Sequence, residues 1–224
     1  MILERLYHME NSKILLQYAL HALAEAGLPE NAWAIGGGTV LAHTYHHRLS
    51  KDIDIFINDR QWLSSLSPRV NDASDTALFY DEESQYISLT FPEGKVDFIA
   101  CPLLTTYAPQ QALFLEQYVL LDHPIEIVCK KIYYRGNQVM PRDVFDLAIV
   151  FDSPHKNDLI KAITEFPEQF IIFRNAFKAK QKDSSFILYS REFSDMILPG
   201  GKHMQYREYD VCNELINEVD KKVR

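Results

Sequence analysis

Two acidic residues, Asp52 and Asp54, stand either side of one isoleucine in DIDIFIN, where acids alternate with Ile or Phe. Alternation at every second residue marks a β-strand with one polar and one apolar face. Both carboxylates then project from one side, roughly 6.5–7 Å apart along the chain. Like charges so placed on an otherwise apolar strand repel each other unless a cation lies between them. Asp97, in KVDFIA, is a further lone acid among apolar residues on a candidate strand. With that strand beside DIDIF, three carboxylates would converge. Hard oxygen donors of this kind select Mg²⁺ (or Mn²⁺), which binds substrate phosphates while keeping several waters. A pair of such ions roughly 3.5–4 Å apart stabilises both the attacking and the leaving oxygen of a phosphoryl-type displacement.

An isolated Asp-x-Asp is more often the wet face of an edge strand than a metal site, so its surroundings decide. Upstream, a short apolar run, AWAIG, enters GGGT and then TVLAHTYHH, which reads as a short helix from near Thr39. Glycines between a strand and a helix let a phosphate approach the backbone and meet the helix N-terminus. The run has neither the dinucleotide-binding spacing nor the Lys-Ser/Thr ending of a P-loop. Its weight comes from standing within about twenty residues of the acids. His43, His46 and His47 are spaced i, i+3, i+4, which suits zinc, but no glutamate follows His43 as a metalloprotease motif requires.

Other elements must position these groups. NSKILLQYALHALAEA (11–26) has helical periodicity and a stop at Gly27 and Pro29. Strands are expected at 76–81, 85–91 and 95–100, with PEGK as the turn between the last two. After Pro102 the pattern reads as helical, with helices at 124–135 and 142–152 and further ones near 155–165, 168–180 and 207–222. LPGGK at 198–202 reads as a loop. The expected fold class is α+β: a small mixed sheet flanked by helices, with a mostly helical C-terminal part. The expected division is 1–123, holding the core and N-terminal helix, and 124–224.

Composition narrows the setting. Three well-separated cysteines without Cys-x-x-Cys spacing argue against a disulfide framework or zinc ribbon and point to a reducing compartment. Charges within the first ten residues and the lack of a long apolar run predict a cytoplasmic protein with no membrane association. The net charge of −8 is unevenly spread. Residues 1–153 hold eleven Lys and Arg against twenty Asp and Glu, and 154–224 hold twelve against eleven. Such a protein is not a bulk nucleic-acid coater, which must neutralise many phosphates. Arg174, Lys178, Lys180, Lys182 and Arg191 still allow a local basic rim, though a solvated helix face is the simpler reading.

GGGTVLAHTYHHRLSKDIDIF resembles the signature of the DNA-polymerase-β-type nucleotidyltransferase superfamily: Gly-Gly, a short helix, then Asp-x-Asp. It more closely resembles the AbiEii/AbiGii abortive-infection toxin family, with Gly37, Gly38, Thr39, Arg48, Ser50, Asp52 and Asp54 at the motif positions. The family's later block resembles KKIYYRGNQVMPRDVFDLAIV, matching Lys131 (or Lys130), Arg142, Asp143, Asp146 and Leu147. The resemblance covers about 32–150 and implies a polymerase-β-like core that moves a nucleoside monophosphate from an NTP to an acceptor. By this likeness Gly37, Gly38 and Thr39 hold phosphates, with Arg48 and Ser50 in the nucleotide-binding motif. Asp52 and Asp54 ligate metal, and Asp97 is the third carboxylate, as ligand or base. Lys131 meets the triphosphate, and Asp143 orients that lysine or the acceptor. It also implies the toxin of a type IV toxin–antitoxin system, with a cognate antitoxin and RNA (tRNA foremost) or protein as acceptor.

Two other readings remain at this point. The acidic first part would suit a cationic, antibiotic-like small-molecule acceptor. A degenerate member would bind nucleotide or a protein partner without turnover. For Asp143 and Asp146, residue spacing alone suggests a helix N-terminal acid and a solvent-facing neighbour, the latter within i+4 reach of Arg142.

Overall fold

The computed structural model describes the backbone of residues 2–186 and 193–223, with side chains from residue 8 onward. Arg191 of the expected basic rim lies outside the described residues. The chain forms two compact units. The first comprises Met1–His43, Leu49–Leu103 and Ala108–His123; the second comprises Thr44–Arg48, Leu104–Tyr107 and Pro124–Arg224.

The first unit is built on seven strands: β1 (Trp33–Gly36), β2 (Ile53–Ile57), β3 (Phe79–Glu82), β4 (Tyr86–Phe91), β5 (Gly94–Ala100), β6 (Gln110–Phe114) and β7 (Gln117–Leu121). Their order in the sheet is β3-β4-β5-β2-β1-β7-β6. β2 runs antiparallel to β1 and parallel to β5, so the sheet is mixed, as expected. Along β2 the side chains alternate as the sequence predicts. Ile53, Ile55 and Ile57 are fully buried, while Asp54 and Phe56 are half-buried on the other face. Val96 and Phe98 of β5 share the buried face, against which helix α1 (Ile2–Glu25) packs. α1 supplies Leu15, Leu16, Ala19, Ala22 and Leu23, and Tyr18 stacks on Phe91 with ring centroids 4.4 Å apart. Each of these leucines contributes about 1.5–3 kcal/mol by leaving water. α1 begins well before residue 11, and it ends at the expected stop. Leu28 N–H reaches Leu23 O and Gly27 N–H reaches Ala24 O, the paired bonds of a Schellman cap.

The chain after Pro102 departs from its helical reading. Residues 110–121 form the β6–β7 hairpin, with Phe114 paired to Gln117 across a two-residue turn. Both turn residues, Leu115 and Glu116, have positive φ (47° and 70°).

Short helices α2 (Gly37–Tyr45) and α3 (Leu63–Leu66) follow β1 and β2. The second unit holds α4 (Pro124–Arg135), α5 (Pro141–Phe151), α6 (Lys156–Ile163), α7 (Pro167–Lys180) and α8 (Glu208–Val223). α5 packs on α4, α6 and α8, and α4 also packs on α6 and α7. Prolines open α4, α5 and α7, where their missing N–H costs nothing. Cys101 in the first unit and Cys129 and Cys212 in the second are all buried, and none is in a disulfide. Among the described residues no helix is long and apolar enough to cross a membrane.

Candidate active site

The glycine run divides between two elements. Gly36 ends β1 and Gly37 opens α2. Gly36 is the register partner of Asp54. Gly37 has φ +69°, a left-handed conformation open mainly to glycine, and a Cβ built there would lie 1.7 Å from Asp54 Oδ2. At Gly36 a Cβ would meet the Phe56 ring at 2.5 Å and Asp122 Oδ2 at 2.9 Å. The bare backbone thus lets the start of a nine-residue helix sit directly against a carboxylate. Gly37→Ala is expected to cut nucleotidyl transfer more than about a hundredfold while leaving the circular-dichroism spectrum of the fold, because strain and collision both fall on this loop. Unchanged turnover in an NTP assay would show that the loop is not part of the site.

Thr39 and Ser50 secure the chain entering β2. The Thr39 hydroxyl lies 2.5 Å from the Asp52 carbonyl and 2.9 Å from the Ser50 hydroxyl. Having one proton, it donates to the carbonyl and accepts from Ser50. Ser12 of α1 reaches the Lys51 carbonyl from the other side.

The acids occupy distinct places. Asp54 and Asp97 are register partners on the adjacent parallel strands β2 and β5, with backbones about 4.8 Å apart, and both lie on the half-open face of the sheet. Ser88 of β4, the register partner of Asp97, donates to Asp97 Oδ1 at 2.5 Å. Asp52 lies one residue ahead of β2 rather than within it, and its Oδ1 accepts the Lys95 N–H at 3.0 Å. Among the described residues no three His, Cys, Asp or Glu side chains form a ready cage for a metal ion. The Asp54–Asp97 pair fits Mg²⁺ on other grounds. Its hard oxygens are adjacent beside a helix N-terminus, and that ion commonly takes one or two carboxylates and completes its shell with water and phosphate.

In the second unit Asp146 and Asp143 of α5 organise a buried ion cluster. Asp146 is fully buried and meets four donors: Arg48 Nε (2.6 Å) and Nη2 (2.8 Å), His47 Nε2 (2.7 Å) and Lys131 Nζ (3.0 Å). Lys131 also donates to Asp143 Oδ1 at 2.5 Å, and Arg135 lies 3.5 Å from Asp143 Oδ2. Burial opposes ionisation of Asp146, but Arg48 and then Lys131 outweigh it and hold the carboxyl well below its ordinary range. Asp143 is likewise lowered, with burial opposed by Lys131 and Arg135. Burial lowers the His47 pKa despite its bond to Asp146, so the neutral ring donates through Nε2. Arg142 is exposed, and the solvent-facing, i+4 reading of Asp146 gives way to Arg48, 98 residues away in sequence. Lys130 pairs instead with buried Glu126 at 3.4 Å. That carboxylate also accepts the Leu104 and Thr105 N–H groups, an anchor the sequence did not reveal.

The His43/46/47 spacing does not produce a shared face. α2 ends at Tyr45, His46 has φ 51°, and His47 turns into the cluster, stacked on Phe145. The expected LPGGK loop backs this segment. Leu198 N–H bonds His47 O, and a Cβ on Gly200 or Gly201 would strike the carbonyl of His46 or His47.

This arrangement has relatives. The fold is similar to that of MenT4, a nucleotidyltransferase toxin from Mycobacterium tuberculosis H37Rv, at TM-score 0.56 and 12% identity, over 96% of this chain and 85% of that one. A candidate nucleotidyltransferase from H. pylori follows at TM-score 0.46 and 14% identity, over 95% of each chain. No curated protein matches the sequence. The α+β fold with its mixed sheet is thus shared with MenT4. Residues 19–209 match the nucleotidyl transferase AbiEii toxin family of type IV toxin–antitoxin systems, and the chain belongs to that family. Membership makes it a nucleotidyltransferase toxin that uses an NTP and implies an antitoxin partner.

Proposed function

We propose that this toxin transfers a nucleoside monophosphate from an NTP to RNA, tRNA foremost, with Mg²⁺ (or Mn²⁺) held by Asp54, Asp97 and Asp52. The observation that carries this is the register pairing of Asp54 with Asp97 beside the left-handed Gly37 at the start of α2. When bound, the metal supplies charge neutralisation on the phosphates and at the leaving oxygen. The chain's own groups do the rest. The backbone of Gly37, Gly38 and Thr39 receives phosphate oxygens at the first turn of α2. An acceptor hydroxyl oxygen bonds to the α-phosphorus, the bond from that phosphorus to the bridging oxygen breaks, and pyrophosphate departs. Asp97 takes the hydroxyl proton, its second role beside metal ligation. Ser50 acts by fixing Thr39.

Lys131 is the proposed cation for the triphosphate, and its pairing with Asp143 supports an orienting role for that acid. Arg48 is assigned to anchoring Asp146, because Nε and Nη2 are already committed there. Incubation with each α-labelled NTP, Mg²⁺ and cell extract tests the reading. Label is expected in RNA, and Lys131→Met is expected to reduce incorporation at limiting NTP by about a hundredfold. Label in protein or in a small molecule would replace the proposed acceptor. Incorporation that persists undiminished in chelator would remove the metal.

A further inference from the structure

β3 is the terminal strand of the sheet, and with the residue before it exposes three consecutive large apolar side chains: Leu78, 59% exposed, Phe79, 73%, and Tyr80, 50%. Among the described residues no strand pairs with its outer edge. Glu83 N–H bonds Tyr86 O in the register that sets Asp81 opposite Ser88, so alternation turns the N–H and C=O of Tyr80 and Glu82 away from β4. Natural edges are usually blunted by charges within the strand or by a covering element. Here Asp81 and Glu82 charge only the second half of the strand, and the surrounding sequence is almost uniformly acidic. From Val70 to Gly94 there are six acids and no Lys, Arg or His. Arg69 engages Glu82, while Asp81 and Glu83 are exposed beside the aromatic pair.

From this edge we infer a docking surface, distinct from the nucleotide site, that takes an extended basic segment of a partner protein as an added strand. Backbone pairing would supply affinity, Tyr80 would cover apolar side chains on one face of the incoming strand, and Phe79, on the face of Asp81 and Glu83, would pack against the stems of its basic residues. Its Lys or Arg residues would meet Asp81 and Glu83. RNA is disfavoured because the acids repel phosphates. A second copy is disfavoured because pairing two such edges brings the acids of both copies together.

The test uses the full chain and a short synthetic peptide of alternating Lys and Val, followed by fluorescence anisotropy and by amide exchange across 78–83. Three controls accompany it: a peptide with Glu for Lys, a peptide with prolines that block strand addition, and an unrelated single-stranded RNA. The Lys–Val peptide is expected to bind and to slow exchange in β3. Binding should weaken about tenfold in Phe79→Ser and again in Asp81→Lys/Glu83→Lys, and to a similar degree for the proline peptide. All three altered positions are on the surface, and neither variant belongs to the transfer machinery, so NTP turnover should be unchanged. Four results would overturn the inference: equal binding of the proline or Glu peptide, indifference to the variants, displacement of the peptide by RNA, or a dimer in sedimentation that Phe79→Ser dissolves. None of these readouts depends on nucleotidyl transfer.

Discussion

Asp54→Asn is expected to lower nucleotidyl transfer by about a thousandfold or more without unfolding the protein. An amide keeps the size and shape of the carboxylate, so contact with Gly37 and the place on β2 are preserved. The lost element is one full negative charge at a site facing Asp97. Metal-centred stabilisation of a developing oxyanion is worth several kcal/mol, and each ~1.4 kcal/mol changes the rate tenfold. Steady-state turnover with saturating NTP and Mg²⁺ measures the effect. A parallel thermal scan gives an independent reading: Mg²⁺ should raise the melting temperature of the wild type and not that of the variant. A variant retaining a tenth of wild-type turnover would sink the assignment of Asp54.

Asp146→Ala acts on stability instead, with an expected loss of about 3–5 kcal/mol. Asp146 has no exposed surface and balances Arg48 and Lys131, so its removal strands buried positive charge. For a chain of this size the melting temperature should fall by about 10 °C. The pH dependence has a definite sign. The folded pKa of Asp146 lies below its unfolded value near 3.8, so the stabilisation is fully present above that pH. It is lost as acidity carries pH down through the folded pKa. The gap between wild type and variant should therefore hold from neutrality to about pH 5 and close below about pH 4. His47 contributes in a higher window. Its folded pKa is below 6.5, the unfolded ring binds more protons as pH falls past that value, and stability declines accordingly. A gap unchanged at pH 3 would contradict the role given to the Asp146 charge.

Much of the framework was legible because its signals are local. Alternation in DIDIFIN and KVDFIA identified β2, β5 and the face carrying Asp54 and Asp97. Whether those two strands are neighbours is a matter of topology, and no spacing within either segment states it. The β6–β7 hairpin escaped notice for a physical reason. A tight turn with two left-handed residues is usually signalled by Asn-Gly or Asp-Gly, and here Leu115 and Glu116 occupy it. The place of Asp146 is hidden for the opposite reason: a plausible local partner, Arg142, conceals a distant one. The glycines of LPGGK showed a loop but not what it supports, since the carbonyls they accommodate come from His46 and His47, far upstream.

The three buried thiols also mark the two units separately. Burial pushes the Cys129 and Cys212 thiols well up, so almost no thiolate is present to react while the second unit is closed. Cys101 is buried inside the first unit. A thiol reagent therefore has to wait for the chain to breathe, and the position it modifies records which half opened. The wild-type toxin thus carries an intrinsic pair of clocks for the opening of its sheet and helical halves, with no label to be engineered.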